Sequence, residues 1–284
     1  NVLNGTRRMR AYAIFQALRY VLIILTLISL VLAGFSGAYL AWCFFVSELF
    51  IAVGLFKFIH QFVVRFGFRH VARSWVFRHV SFGLRGFFGG MLSDLNTRVD
   101  IILLGYFVSD ARVGIYSFAA VFAEGFGQIS YVVKQNLDPI IGRLTAANNI
   151  DELRLLMRRV VRVFVPCMFT LAVGSALLFP LMADLLAGAR FTESWPIFAI
   201  LLVGVVINAG FRPFQGVFLL TGHPGLHSLF FLAVVLSNAI LNVLFIPRIG
   251  LAGAAVATSL AYVVESLLIL YGIRRILNVK GVDL

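Results

Sequence analysis

The sequence predicts an all-α integral membrane protein with eight transmembrane helices, organised as one complete six-helix lobe and a helical hairpin of a second lobe. Of its 284 residues, 61% are hydrophobic and 13% are charged, whereas a soluble domain averages roughly 45–50% apolar and about 25% charged residues. Eight apolar stretches are long enough to cross a bilayer, and a short motif recurs along the chain. Despite a net charge of +12, this composition argues against a soluble enzyme, a disordered chain and a nucleic-acid-binding module.

The predicted spans follow from length and apolar content. A bilayer core of ~30 Å requires about 20 predominantly apolar residues per helix. Pro166, Pro180 and Pro213 lie within or near spans, where they are expected to kink helices without ending them. The short alternating segments of a β-barrel are missing from the sequence. The eight predicted spans are 11–33, 37–59, 82–107, 113–135, 160–183, 195–220, 225–247 and 250–273.

The basic residues predict the orientation. If the N-terminus is cytoplasmic and the spans alternate, nineteen of the 24 Lys and Arg residues fall on the cytoplasmic side. Arg112, Arg190 and Arg248 fall outside, while Arg19 and Arg98 lie within spans. Because Lys and Arg collect in cytoplasmic loops, the sequence predicts a multi-pass protein with both termini in the cytoplasm.

Two connecting segments are predicted to have structure of their own. In residues 60–81, Arg65, Arg69 and Arg73 recur every four residues among aromatic and aliphatic side chains, a pattern that favours an amphipathic helix on the inner leaflet. A solvated cytoplasmic linker is the alternative for this segment. Residues 145–159 are predicted to form a separate short cytoplasmic helix.

An internal repeat suggests the domain organisation. Residues 34–41 (GFSGAYLA) align with residues 250–257 (GLAGAAVA), and the helix after each carries one acid, Glu48 or Glu265. Six predicted spans separate the copies, so the copies share an orientation, as parallel repeats do. Residues 1–59 are then the last two helices of an incomplete N-terminal lobe, and residues 82–284 are the C-terminal six-helix lobe, with about four helices expected upstream. Chance recurrence of a Gly–Ala hairpin start is the alternative.

Three segments carry a resemblance to known proteins: residues 100–119 (DIILLGYFVSDARVGIYSFA), 219–223 (LLTGH) and 241–258 (LNVLFIPRIGLAGAAVAT). They resemble the seventh, eleventh and twelfth helices of bacterial polysaccharide exporters and O-antigen flippases, within the multidrug/oligosaccharidyl-lipid/polysaccharide (MOP) exporter superfamily. The resemblance implies a MOP-type fold with two six-helix lobes, of which this chain lacks most of the first.

The same resemblance implies a function. It implies movement of a polyprenyl-pyrophosphate-linked oligosaccharide, an O-antigen or exopolysaccharide unit, across the bacterial inner membrane by alternating access. The implied partners are this lipid-linked glycan substrate, membrane lipids and other polysaccharide-assembly proteins, with no nucleic acid. A multidrug/cation antiporter and a peptidoglycan-precursor flippase are alternatives within the superfamily. A non-transporting membrane scaffold of a polysaccharide-synthesis complex is the alternative of another class.

The third predicted span carries the most charged residues. An ion in a bilayer costs ~2.5–3.5 kcal/mol even on the more lenient scale, so such residues are functional candidates by default. On a regular helix Asp94 and Arg98 share one face and can pair. We expect this face to line a central cavity, where the guanidinium suits a pyrophosphate; a structural salt bridge is the alternative. Asn96 and Asp100 share a second face, about 200° from Arg98, so the two faces are not expected to address the same space.

The fourth predicted span supplies the next candidates. Glu124 and Gln128 lie on one stripe of this helix, and Gln128 is a candidate for contact with the substrate. Glu124 is expected either to neutralise Arg98, a structural pairing, or to serve as a proton or Na⁺ site that couples transport to an ion gradient. Asp100 is the second ion-coupling candidate.

Four further polar residues are substrate-binding candidates, namely Arg19, Arg85, Asn238 and Asn242. Each has a structural alternative: snorkelling of Arg19 to headgroups, a topology anchor at Arg85, and hydrogen bonds between helices for the two asparagines. The sequence contains no Ser/His/Asp set, paired-His spacing, phosphate loop or CxxC motif. It therefore predicts no catalytic residue, no metal site and no cofactor, and a transporter rather than an enzyme.

Overall fold

The computed structural model of this protein describes residue 6 and residues 8–35, 37–63 and 73–276. Over these residues the chain is helical and contains no strand, as expected for an all-α membrane protein. The chain divides into two compact units, Asn1–Val76 and Phe77–Leu284, and each is described by itself. The predicted domain boundaries at residues 59 and 82 stay predictions.

The first unit contains a helical hairpin. Helix α1 (Met9–Leu32) and helix α2 (Trp42–Phe62) are joined by a 3₁₀ turn, Gly37–Ala41. The connection reverses the chain through two glycines with positive φ, Gly34 at 79° and Gly37 at 52°, a conformation that residues with a Cβ rarely adopt. Polar and aromatic side chains pair across the hairpin, while most of its apolar surface is exposed, as expected for helices that face lipid.

The second unit begins within helix α3 (Arg73–Asn96), which is followed by α4 (Val99–Phe107), α5 (Asp110–Ala146) and α6 (Ile150–Ala187). A 3₁₀ segment, Ala189–Ser194, leads into α7 (Trp195–Ala209). A second 3₁₀ turn, Arg212–Phe214, precedes the one-turn helix α8 (Val217–Leu220). The last element, α9 (Pro224–Ile276), is divided by the non-helical residues Ile249 and Gly250 into an N-terminal and a C-terminal half.

Among the described residues, five helices are long and apolar enough to cross a membrane: Arg10–Leu32, Tyr39–Phe62, Ile150–Ala187, Ala189–Ala209 and Pro224–Ile276. The last has 53 residues, about 80 Å at 1.5 Å per residue, and its break at Gly250 gives two halves that are each long enough. The chain is therefore a multi-pass membrane protein, while the number of eight spans stays a prediction.

Two predicted spans are wrong as single regular helices. The predicted third span, 82–107, is not one helix: it is broken between α3 and α4, because the amide and hydroxyl of Thr97 both donate to the carbonyl of Asp94, at 3.2 and 2.8 Å, and tighten the chain there. Helix α3 begins at Arg73, so residues 73–81 of the predicted amphipathic segment are helical and continue without a break into the predicted third span; residues 64–72 of that segment lie outside the described residues. The predicted span 195–220 ends as a regular helix at Ala209, since Pro213 has no amide hydrogen to continue it.

The predicted short helix at residues 145–159 is also wrong as a separate element. Helix α5 runs through Ala146, and α6 begins at Ile150 and continues into the predicted fifth span. Asn148 turns the chain with φ of 51°. Asn149 then caps α6, since its side-chain Oδ1 accepts from the backbone amide of Glu152 at 3.3 Å and its side-chain Nδ2 donates to the Glu152 carboxylate at 2.8 Å.

The core of the second unit consists of two main apolar clusters. The first, the Phe179 cluster, is centred on Phe179 and Phe198, whose rings stack at 4.2 Å. The second, the Phe214 cluster, is built from the opposite ends of α5, α6 and both halves of α9, together with α8, and includes Phe218 and Phe230. Between the two clusters lie buried or half-buried polar side chains of α5, of α7 and the turn that follows it, and of both halves of α9, together with those at the junction of α3 and α4. We call this set the polar layer.

The polar layer comprises Asn96, Asp100, Glu124, Asn208, Gln215, Asn238, Asn242, Thr258, Tyr262, Glu265 and Ser266.

Candidate functional site

The best-defined feature of the polar layer is the carboxylate of Asp100, which is only 5% exposed. It accepts hydrogen bonds from the Tyr116 hydroxyl, from the Thr258 hydroxyl at 3.2 Å and from the backbone amide of Ile101 at 2.9 Å. These donors come from α5, from the C-terminal half of α9 and from α4 itself. Both oxygens of the carboxylate are therefore engaged by donors, which holds the group in one orientation.

A small cavity lies beside this carboxylate. Its volume is about 20 Å³, sufficient for about one water molecule or a small desolvated cation. Its polar wall consists of Asn96, Thr97, Asp100, Glu124, Asn238, Thr258 and Tyr262, and its apolar wall of Ala120, Ala123, Leu201 and Ala261. Hard cations prefer oxygen ligands, and carboxylate, hydroxyl and amide oxygens converge here from four helices.

The cavity is lined by Asn96 and Asp100, not by Asp94 and Arg98, so the face expected to line it is the wrong one. That expectation assumed a regular helix through Thr97 and Arg98, whereas the chain breaks at these residues. As a result Asp100 and Glu124 line the same cavity, and Arg98 forms an ion pair with that same glutamate at 3.5 Å. In the part of the chain that the structure describes, no ion pair joins Arg98 to Asp94, which is exposed on α3. The Asp94–Arg98 pairing is therefore wrong, and of the two roles expected for Glu124, the contact with Arg98 is present.

Arg98 lies at the accessible edge of the site. Its side chain is 55% exposed and that of Glu124 is 32% exposed, so the pair is not sealed in the core. An exposed ion pair contributes only about 0–1 kcal/mol to stability. The guanidinium thus retains donors that are free to meet an anion.

The candidate asparagines are engaged with other helix residues. Asn238 donates to the side-chain oxygen of Asn96 at 3.1 Å, and Asn242 donates to the side-chain oxygen of Asn238 at 2.8 Å. Asn238 lines the cavity, whereas Asn242 is fully buried behind it. The chain of amides joins the α3 terminus to the N-terminal half of α9, which favours the structural role for Asn242.

The other candidates lie elsewhere. Gln128 is exposed on α5, one turn beyond Glu124. Arg85 is exposed on α3, and its Nε donates to the carbonyl of Ser81 at 3.1 Å. In the first unit, Arg19 forms an ion pair with Glu48 at 2.8 Å across the hairpin, so each of the two charges has a partner on the other helix.

Sequence reasoning missed a second polar cluster in the layer. Glu265 is 3% exposed and accepts a hydrogen bond from the Gln215 amide at 2.9 Å, and the charge of Arg212 acts on the same carboxylate. Asn208 joins this cluster by donating to Ser266 at 3.3 Å. An acid within an apolar span was the available signal for Glu265, but its partners depend on the irregular chain after α7.

This cluster makes a testable prediction. Glu265→Ala is expected to destabilise the protein by about 1–3 kcal/mol, because it leaves the Gln215 amide buried without an acceptor. Glu265→Gln keeps the carbonyl oxygen that accepts this hydrogen bond and is expected to lose less. Thermal unfolding of both variants in detergent measures the difference; equal losses would contradict the assignment.

Comparison with known proteins identifies the family of this chain. Residues 5–196, more than half of the chain, match the family model described as polysaccharide biosynthesis protein. The chain is also 24% identical over 193 residues to a probable low-salt glycan biosynthesis flippase of Haloferax volcanii. The match covers 64% of this chain and 39% of that relative, so the chain spans about two fifths of the relative's length. On the family match, this membrane-embedded helical chain belongs to the polysaccharide biosynthesis protein family.

Proposed function

We propose that this chain carries the substrate-facing and ion-coupling parts of a flippase that moves a polyprenyl-pyrophosphate-linked oligosaccharide across the bacterial inner membrane by alternating access, with both termini in the cytoplasm. Family membership and the flippase-named relative support the substrate class. The polar layer supports transport, because ionisable residues in membrane segments mark substrate and ion pathways. The proposal makes the protein a transporter and not an enzyme, with the lipid-linked glycan and membrane lipids as its partners.

Arg98 is the residue that we assign to the pyrophosphate. Its side chain lies at the edge of the polar layer and is about half exposed, and its ion-pair partner Glu124 lines the cavity. Planar guanidinium groups bind phosphate oxygens through paired hydrogen bonds. Substrate binding would draw Arg98 away from Glu124, and this exchange of partners would link the substrate to the cavity.

Asp100 and Glu124 are the residues that we assign to ion coupling. The cavity they share has room for one small cation, Na⁺ or a hydrated proton, among oxygen and amide groups. The ion pair of Glu124 with Arg98 would couple substrate binding to cation binding. When the substrate takes Arg98, the carboxylate loses its counter-charge, and a cation in the cavity would replace it. A ligand can shift a transporter between states only by binding one state better than the other.

A charge-reversal series tests the role of Arg98. In cells lacking the gene, Arg98→Ala in the full-length protein is expected to lower glycan display at least tenfold, the effect of losing one or two charge-assisted hydrogen bonds of about 1.5–3 kcal/mol each. Its thermal stability should change little. Arg112→Ala, which removes an exposed arginine of α5 outside the polar layer, is the matched control and should retain display.

The double variant Arg98→Glu with Glu124→Arg separates the two roles of the pair. It restores the attraction but moves the cation, so we expect thermal stability to match that of the parent chain and glycan display to stay low. Full display by either Arg98→Ala or the double variant would contradict the assignment.

A further inference from the structure

A second site lies on the lipid-facing side of the second unit, away from the polar layer. Helix α8 and the two halves of α9 enclose an apolar groove with a volume of about 270 Å³. This is somewhat less than the 300–1,000 Å³ of a site for a whole small molecule, and it has room for a segment of one hydrocarbon chain. The groove is lined by Phe218, Leu226, Leu229, Phe230, Ala233, Leu268, Tyr271, Gly272, Arg275 and Ile276.

Gly272 lies on the floor of the groove. A Cβ atom built on Gly272 would lie 2.3 Å from the ring of Phe218, so this ring packs directly against the backbone of the C-terminal half of α9. The ring of Phe218 contacts that of Phe230 at 5.3 Å and completes the inner wall. The outer wall is exposed leucine, with Leu229 60% exposed.

One end of the groove is basic. Arg275 lies in the last turn of α9, beside Arg274, and its Nη1 donates to the Tyr271 hydroxyl at 3.2 Å. The guanidinium is thereby held at the mouth of an otherwise apolar groove, at the end of a membrane helix, where lipid headgroups lie. A hydrocarbon channel that ends on a cation is complementary to an amphiphile with an anionic head.

We infer that this groove, which we name the Arg275 groove, holds one acyl chain of an anionic phospholipid whose phosphate meets Arg275. Basic pockets between membrane helices bind anionic headgroups, and one basic residue near a membrane surface contributes about 1 kcal/mol of attraction. The net charge of +12 attracts anionic lipid to the protein in general, and the groove provides a specific binding site for one such lipid.

A second groove on the same unit provides a matched control. It is also lipid-facing, has a volume of about 370 Å³ and lies between α6 and α7. All of its lining residues are apolar, and Val203 on its wall is 59% exposed, almost the same as Leu229. It should accept acyl chains without regard to headgroup charge.

Tryptophan quenching by brominated lipid tests the inference. The full chain is reconstituted in phosphatidylcholine vesicles in which either phosphatidylglycerol or part of the phosphatidylcholine carries bromine on its acyl chains. Leu229→Trp reports on the Arg275 groove and Val203→Trp on the control groove, and the parent chain with its three tryptophans gives the background. We expect brominated phosphatidylglycerol to be preferred over phosphatidylcholine about five-fold at position 229, with no preference at position 203.

Two arginine variants make the result specific. Arg275→Gln should abolish the preference at position 229, whereas Arg274→Gln, which removes the neighbouring arginine that does not line the groove, should preserve it. Equal quenching by the two lipids at position 229, or a preference that survives Arg275→Gln, overturns the inference. If Leu229→Trp does not fold, Leu226→Trp on the same wall serves as reporter. The assay measures lipid binding alone, so its outcome does not depend on the glycan proposal.

Discussion

Replacing Asp100 with asparagine is expected to lower glycan transport at least tenfold and to make the remaining transport insensitive to an ion gradient. The carboxylate accepts from three donors, Tyr116, Thr258 and Ile101. An amide has one acceptor oxygen in place of two and no charge, so at least one donor loses its acceptor, at about 1–3 kcal/mol, and a cation in the cavity loses its principal counter-charge. Transport of a fluorescent lipid-linked oligosaccharide into proteoliposomes, with and without an imposed Na⁺ or proton gradient, measures the effect.

Thermal stability gives a readout of ion binding that does not depend on activity. A ligand that binds only the folded state raises the unfolding temperature with its concentration. If the cavity binds Na⁺, added NaCl should stabilise the parent chain more than KCl does, and Asp100→Asn should remove the difference. Asp94→Asn, an exposed acid on α3, is the control and should behave as the parent chain. Gradient-dependent transport by Asp100→Asn at the parent rate would show that the coupling site lies elsewhere.

Substituting alanine for Gly253 is expected to destabilise the protein by about 1–3 kcal/mol, the usual effect of overpacking a core. A Cβ atom at this position would lie 2.4 Å from the carbonyl oxygen and 2.6 Å from the carbonyl carbon of Phe245. These are backbone atoms of the N-terminal half of α9, so they cannot move aside as a flexible side chain can. The two halves of α9 thus approach closely after the turn at Gly250 because Gly253 has no side chain.

Gly174→Ala is the matched control for this prediction. Gly174 lies inside α6, and a Cβ atom there would meet nothing within 4 Å. Alanine is favoured over glycine in a helix by about 1 kcal/mol, so this substitution should leave stability unchanged or raise it. Thermal unfolding of both variants in the same detergent measures the contrast, and similar behaviour of the two would refute the steric argument.

The apolar content and the length of the apolar stretches were sufficient to predict an all-α, multi-pass membrane protein, because lipid allows few other structures. The candidate site was predicted less well. Residue type alone identified Asp100, Arg98 and Glu124, since charges in a span are rare. Their arrangement was not predicted, because the helical wheel assumes regular hydrogen bonding and Thr97 interrupts it. The sequence did not identify Tyr116 or Thr258, since their hydroxyls donate hydrogen bonds to Asp100 only because three helices pack together.

The aligned turns of the internal repeat agree at the first glycine position and differ at the next. Gly34 and Gly250, which occupy the same position in the two copies, both adopt positive φ, 79° and 60°. The backbone therefore turns on equivalent glycines. The next aligned pair differs: Gly37 also has positive φ, whereas Gly253 lies in a helix and serves close packing.

The break at Thr97 and Arg98 also bears on how the chain enters the bilayer during synthesis. The stretch from Asp94 to Asp100 carries three ionisable groups, and each would cost ~2.5–3.5 kcal/mol in isolation at the translocon. The groups that offset two of these costs, Glu124 and Tyr116, reside on the following helix, α5. We therefore expect α3, α4 and α5 to enter the bilayer together, with α3 and α4 retained at the translocon until Glu124 has emerged from the ribosome.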